Sequence, residues 1–249
     1  MRNGGGRLAP AVLVGMTMAC ASTAPTDEEA RILVFSRTEQ FRHASIEPGI
    51  QALRALGEQH GIAVDATEDP SRFNAEQLAA YAAVVFLSTT GDVLDEEQQD
   101  AFMEYVRGGG GFVGIHSASD TEYDWAWYGR LVGGYFDGHP SNPGVRSGTL
   151  LVADVAHPAT ESLPSPWIRD DEWYDIRDLQ SGLRVLLDID ESSYKDEGEA
   201  PAVEPRPIAW FQEFEGGRAF YTALGHTSES YEEQLFLQHV WGGIMSVLR

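Results

Sequence analysis

Four histidines sit where a parallel α/β chain puts the ends of its strands or the loops after them. They are His43 in Phe41-Arg42-His43, His116 directly after an apolar run, His139 in Gly138-His139-Pro140, and His226 in Leu224-Gly225-His226. A neutral imidazole binds metal ions and also passes protons near neutral pH. The spacing does not choose between those roles, because no His-x-x-x-His or other compact ligand pair is present. The other histidines read as structural: His60 closes a helix, His239 lies in the last helix, and His157 precedes a proline.

Carboxylates that could orient an imidazole, complete a metal site or act as a base are Asp120, four residues after His116, and Glu172 in Asp171-Glu172-Trp173-Tyr174. With 39 acids in the chain, any one of them alone is more readily a solvated charge. The expected catalytic set is His116, His226, Asp120 and Glu172. His116, His139 and His226 are the expected ligands of a divalent metal, zinc before others. His43, Trp173 and Tyr174 are the expected substrate contacts. Trp125, Trp127, Tyr128 and Tyr135 read mainly as core.

Other chemistries are set aside. The single cysteine, Cys20, leaves no disulfide partner and the mature chain no cysteine nucleophile. Glycines 108–111 precede a strand and lack the Gly-Lys-Ser/Thr ending, so they are a helix stop rather than a phosphate loop, and no nucleotide cofactor is expected. A net charge of −22 repels nucleic acid and anionic lipid, and suits a neutral or cationic ligand.

These residues must be positioned by alternating strands and helices. Short apolar runs start at Ile32, Ile62, Val84 and Phe112. Helix signals lie between them: Ser45 before Ile46, Ile50, Leu53 and Leu56; Gly61 as a stop; Asn74 as a cap for a helix through Tyr81; and Asp95 with Gln98 as a capping box. Strands resume over 183–189, 208–214 and 219–223, and an amphipathic helix runs from Ser230 to Leu248. This pattern predicts a doubly wound, mostly parallel sheet with helices on both faces and an elaborated, aromatic-rich middle between about 120 and 180.

The N-terminus reads as an address. Arg2 and Arg7 precede the apolar stretch Leu8–Ala19, which is too short to span a bilayer, and Cys20 stands at a lipoprotein-type cleavage position. The expected organisation is a signal peptide over 1–20, an acidic tether over 21–30 and one domain over 31–249. The expected location is periplasmic or cell-surface, anchored through Cys20, with the membrane touched only through that lipid.

Five ordered motifs together resemble the ThuA-like (trehalose utilisation) family: Phe41–Ile46, Gly109–His116, Gly138–Pro140, Asp171–Tyr174 and Gly217–His226. The resemblance implies a class I glutamine amidotransferase-like, flavodoxin-like fold. It puts His116, in Gly114-Ile115-His116-Ser117-Ala118, where those enzymes keep a nucleophilic cysteine, and His226 where they keep the triad histidine. It also implies carbohydrate catabolism, with a sugar or keto-sugar as substrate and a sugar dehydrogenase as partner. Glutaminase chemistry is not expected without the cysteine. Metal-assisted or acid–base hydrolysis, isomerisation or elimination, a non-catalytic glycan-binding or assembly module, and a hydrolase using Ser117 with His226 stand as alternatives.

Overall fold

The structure is a computed structural model that describes residues 1, 2, 4, 30–195 and 205–248. Most of the expected leader, Cys20 and nearly all of the tether lie outside these residues.

The first half alternates as the sequence predicts. Strands β1 (Arg31–Phe35), β2 (Ala63–Thr67), β3 (Ala83–Leu87) and β4 (Gly111–Ile115) are separated by helices α1 (Ile46–His60), α2 (Ala75–Leu78) and α3 (Glu96–Arg107). β3 and β4 are buried at every position, which is why they read as unbroken apolar runs. Gly61 ends α1 in the left-handed region at φ 68°. The Asp95 carboxylate accepts from the Gln98 N–H at 2.9 Å, and Gln98 Oε1 accepts from the Asp95 N–H at 3.0 Å, closing the capping box of α3.

Two local expectations fail. Ser45 precedes α1, but its backbone is already helical and its buried hydroxyl makes no capping bond. α2 is capped by Asn74 as expected, yet stops at Leu78, after which the chain turns back through Tyr81 into β3.

The middle is more regular than its sequence suggests. It holds α4 (Ala126–Val132) and the strands β5 (Tyr135–Gly138), β6 (Val145–Val152), β7 (Trp167–Glu172) and β8 (Asp175–Arg177). Strands β9 (Arg184–Asp190), β10 (Arg206–Phe214) and β11 (Gly217–Thr222) and helix α5 (Gln234–Val247) complete the described fold. The nine-stranded sheet has the order β2-β1-β3-β4-β11-β10-β9-β6-β7, and β5 pairs with β8 in a separate ribbon. Pairs from β2 to β11 are parallel, whereas β11-β10, β10-β9, β9-β6 and β6-β7 are antiparallel. Only β10 and β6 therefore run against the rest, so the sheet is mostly parallel.

The antiparallel side curls. In a flat sheet the edge strand β7 would lie about 19 Å from β11, at about 4.8 Å per strand. Yet Asp171 on β7 bonds the backbone N–H groups of Gly225 and His226, just past β11, at 2.9 and 3.1 Å. Register shifts between β9 and β10 around Ala209 mark one bend. The roll carries the end of β7 over the ends of β4 and β11, and the candidate site lies under it.

The last helix starts later than expected. A 3-10 turn covers Glu229–Glu232, and Glu233 is extended. Its carboxylate accepts from Trp167 Nε1 at 3.1 Å, which ties the turn to β7.

Candidate metal and acid–base site

His116 sits at the turn after β4 with a left-handed φ of 54°, a strained conformation for a residue with a side chain. The sharp turn requires small residues two positions either side. A Cβ on Gly114 would come within 3.2 Å of the Ala118 Cβ and 3.0 Å of the Tyr221 ring. This is the geometry of a nucleophile elbow, with an imidazole at its apex.

Backbone and neighbours fix that imidazole. Its Nδ1–H donates to the Ala223 carbonyl at 2.8 Å, so Nε2 carries the lone pair. Around Nε2 lie His43 Nε2 at 3.2 Å, His226 Nδ1 at 3.1 Å, the Tyr174 hydroxyl at 2.9 Å and Glu172 Oε2 at 3.6 Å. Glu172 Oε2 is 3.0 Å from His226 Nδ1, and Glu172 Oε1 is 3.2 Å from His139 Nδ1. One donor atom from each of His43, His116, Glu172 and His226 falls within 4.8 Å of the others.

The donor set fits a divalent ion. A tetrahedral ion with ligands at about 2.0–2.1 Å spaces its ligand atoms about 3.3 Å apart, close to the separations around His116 Nε2. His43 is held neutral: burial, reinforced by the neighbouring His116 and His226, lowers it to about 3. Its Nδ1 meets the Ser117 hydroxyl at 3.3 Å, which orients the ring as an outer partner of a metal-binding histidine would. Burial alone would raise the Glu172 carboxyl, but its bonds to His116 and His226 prevail and keep it well below the ordinary carboxylate range. Burial opposes a charge on His226, yet Glu172 and Asp171 outweigh it and raise its pKa. Glu172 thus favours a proton on the half-buried His226, whereas burial disfavours one on His43.

The expected residues divide. His116, His226, Glu172, His43 and Tyr174 come together. His43 lies inside the ligand cluster rather than at a substrate rim. His139 lies outside it: its Nδ1 donates to the Pro140 carbonyl at 2.8 Å and faces the outer oxygen of Glu172. Asp120 also lies outside, half-buried and accepting from the Tyr123 hydroxyl at 2.6 Å, with its pKa raised by burial. Trp173 is engaged in the core rather than at the cluster. It is fully buried, packs against Gly148 and Tyr194, and its Nε1 donates to the Arg146 carbonyl at 2.9 Å. Ser117 is buried on His43, not His226, which removes the serine hydrolase arrangement.

Three participants escaped the sequence reading. The Ala223 carbonyl is a backbone group with no side-chain signal. Phe41 is 64% exposed and stands edge-on to His43 at 4.7 Å between ring centroids; only its place two residues before His43 hinted at this. Asp171 was visible only as part of a motif.

An α/β sheet with a sharp left-handed turn at the end of β4 and imidazoles gathered above it has the class I glutamine amidotransferase-like fold, with His116 at the apex of the turn. The family model for ThuA, trehalose utilisation, matches residues 31–246, and the chain belongs to that family. No curated protein sequence matches it. Among solved structures it is similar to a ThuA-like protein from Bacteroides uniformis, at 22% identity and a TM-score of 0.73, covering 92% of this chain and 95% of that one. A ThuA-like protein from Parabacteroides merdae is similar at 21% identity and a TM-score of 0.68, covering 88% and 91%. A β-galactosidase from Bacillus circulans sp. alkalophilus shares the fold at 14% identity and a TM-score of 0.53, covering 88% of this chain and 30% of that one.

Proposed function

We propose that this chain is an exported enzyme of carbohydrate catabolism that acts on a sugar or keto-sugar at a divalent-metal site formed by His43, His116, His226 and Glu172. The observation that carries the reading is the convergence of four donor atoms at ligand spacing beneath the ends of β4, β7 and β11. The substrate class rests on the family, whose model is described by trehalose utilisation.

A bound ion, zinc foremost for so imidazole-rich a set, would polarise a sugar carbonyl or activate water. The chain's own groups would do the rest. With an ion in place, His226 Nδ1 and Glu172 Oε2 would hold the metal rather than a proton, leaving the outer oxygen of Glu172 to accept one from the substrate. The Tyr174 hydroxyl, kept protonated by burial, stands ready to donate to an oxygen held beside His116. His139, on the outer oxygen of Glu172, lies between the buried cluster and solvent. A sugar dehydrogenase would supply the oxidised substrate.

The same reading puts the protein outside the cytoplasm as a lipoprotein, with Cys20 lipidated and residues 21–30 as tether to the domain over 31–249. Among the described residues no helix is long and apolar enough to cross a membrane. A non-catalytic glycan-binding module is the lesser reading, because Trp173, which favoured it, is buried.

The test is the metal content of residues 25–249, purified without a histidine tag, beside the His116→Ala variant. Near-stoichiometric divalent metal, lost in the variant, supports the proposal. No metal in either protein after supplementation overturns the metal mechanism.

A further inference from the structure

Strand β7 ends in three consecutive carboxylates, Asp170, Asp171 and Glu172, and of these Glu172 reaches the donor cluster. Asp171 is fully buried. Removing a carboxylate from water costs several kcal/mol unless its oxygens are well satisfied. Here both are. Oδ1 accepts from the backbone N–H of His226 at 3.1 Å and of Glu172 at 2.9 Å. Oδ2 accepts from the Gly225 N–H at 2.9 Å and faces Arg169 Nη2 at 3.2 Å. Arg169 is itself buried, bonded to Ser230 Oγ at 2.8 Å and lying over the Trp167 and Phe236 rings.

The segment that Asp171 grips, Ala223–His226, does two things for the cluster. Its Ala223 carbonyl sets the tautomer and angle of His116, and its last residue supplies His226 Nδ1. The sheet itself reaches no further than the first residue of this segment. The Ala223 N–H donates to the Ile208 carbonyl at 2.9 Å, β11 has ended at Thr222, and Gly225 takes a left-handed φ of 110°. We infer that Asp171 is the positioning residue of the site, a buried carboxylate that holds the 223–226 loop so that two imidazoles, His116 and His226, meet at ligand spacing. This rests on the metal-site reading above and adds to it a residue that touches neither ion nor substrate.

An amide in place of the carboxylate cannot do the same work. The side chain of the Asp171→Asn variant would have one acceptor oxygen and would turn an NH2 group towards N–H donors from Gly225 or His226. Loss of an outer partner typically weakens metal affinity 10- to 100-fold.

The experiment measures zinc and cobalt(II) affinity by chelator competition, and the cobalt(II) visible spectrum, for the untagged chain and for the Asp171→Asn and Asp170→Asn variants. Amide exchange at Gly225 and His226 is followed in the unsubstituted protein. Asp170, the exposed neighbour, controls for charge. We expect Asp171→Asn to weaken both metals at least 10-fold and to change the cobalt spectrum, with Asp170→Asn unchanged, and the two amides to be strongly protected. Affinity and spectrum unaltered in a folded Asp171→Asn protein would overturn the inference. If the unsubstituted chain binds neither metal, the metal reading fails separately. In that case, or if Asp171→Asn does not fold, amide exchange decides: protected Gly225 and His226 amides support the clamp, and rapid exchange refutes it.

Discussion

The Nδ1–H of His116 donates to the Ala223 carbonyl across 2.8 Å. That bond commits the other nitrogen of the ring, and its lone pair, to the centre of the cluster. A histidine at an elbow apex could have pointed either nitrogen inward. The backbone of a loop a hundred residues downstream makes the choice.

Replacing His116 with Ala removes the central donor. Metal affinity should fall by more than about 100-fold, while the far-ultraviolet circular dichroism remains that of the folded protein. Retained affinity would show that the ion, if bound, sits elsewhere.

Glu172 raises the pKa of His226, so Glu172→Gln should bring it down. Nuclear magnetic resonance titration of the metal-free protein would show this as loss of the imidazolium at a pH where the unsubstituted protein still holds it. In the unsubstituted protein, metal and proton compete for His226 Nδ1. Affinity should therefore rise with pH until His226 has lost its proton and then level off.

His239 is fully buried, bonded to the Ala159 carbonyl and to Thr222, and burial lowers its pKa to about 3. Its folded pKa lies below the unfolded value of 6.5. Between these values the unfolded chain binds the extra proton, so its stabilising contribution is complete above pH 6.5 and is lost as the pH falls. Urea unfolding of His239→Gln at several pH values should give a stability slope shallower by up to about 1.4 kcal/mol per pH unit in that window. An unchanged slope would mean that His239 does not titrate this way.

Gly114→Ala tests the elbow. The added methyl meets Tyr221 and Ala118 in a closed space. A loss of about 1–3 kcal/mol in urea denaturation is expected. A neutral result would show that the turn has room to spare.

Cys20→Ser should move the protein from the membrane fraction to the soluble one and abolish labelling by a fatty-acid probe. Unchanged partitioning would leave the lipid anchor without support.

The parallel half of the fold was legible because both faces of its strands are buried, which leaves uninterrupted runs such as Ala83–Leu87. The histidines of the site were legible because each follows such a run or a glycine turn. The curled half was not. β7 inverts the usual pattern: Ile168 is 67% exposed, while Arg169 and Asp171 point inward. Hydropathy alone would assign those faces the other way round. The place of Trp173 was hidden for a related reason, since its indole N–H finds a backbone carbonyl inside the protein.

The rolled sheet has a further consequence. Its antiparallel side bends back towards the parallel side and meets it at a polar seam, where the end of β7 grips the loop after β11. Residues 43, 116, 172 and 226 lie along that seam, contributed from both sides of it. An ion held there would act as a clasp, resisting unrolling as well as serving chemistry. At a free concentration one hundred times its dissociation constant it would add about 2.7 kcal/mol to the closed form. With such an ion bound, mechanical closure of the fold and completion of the site would be a single event at that seam.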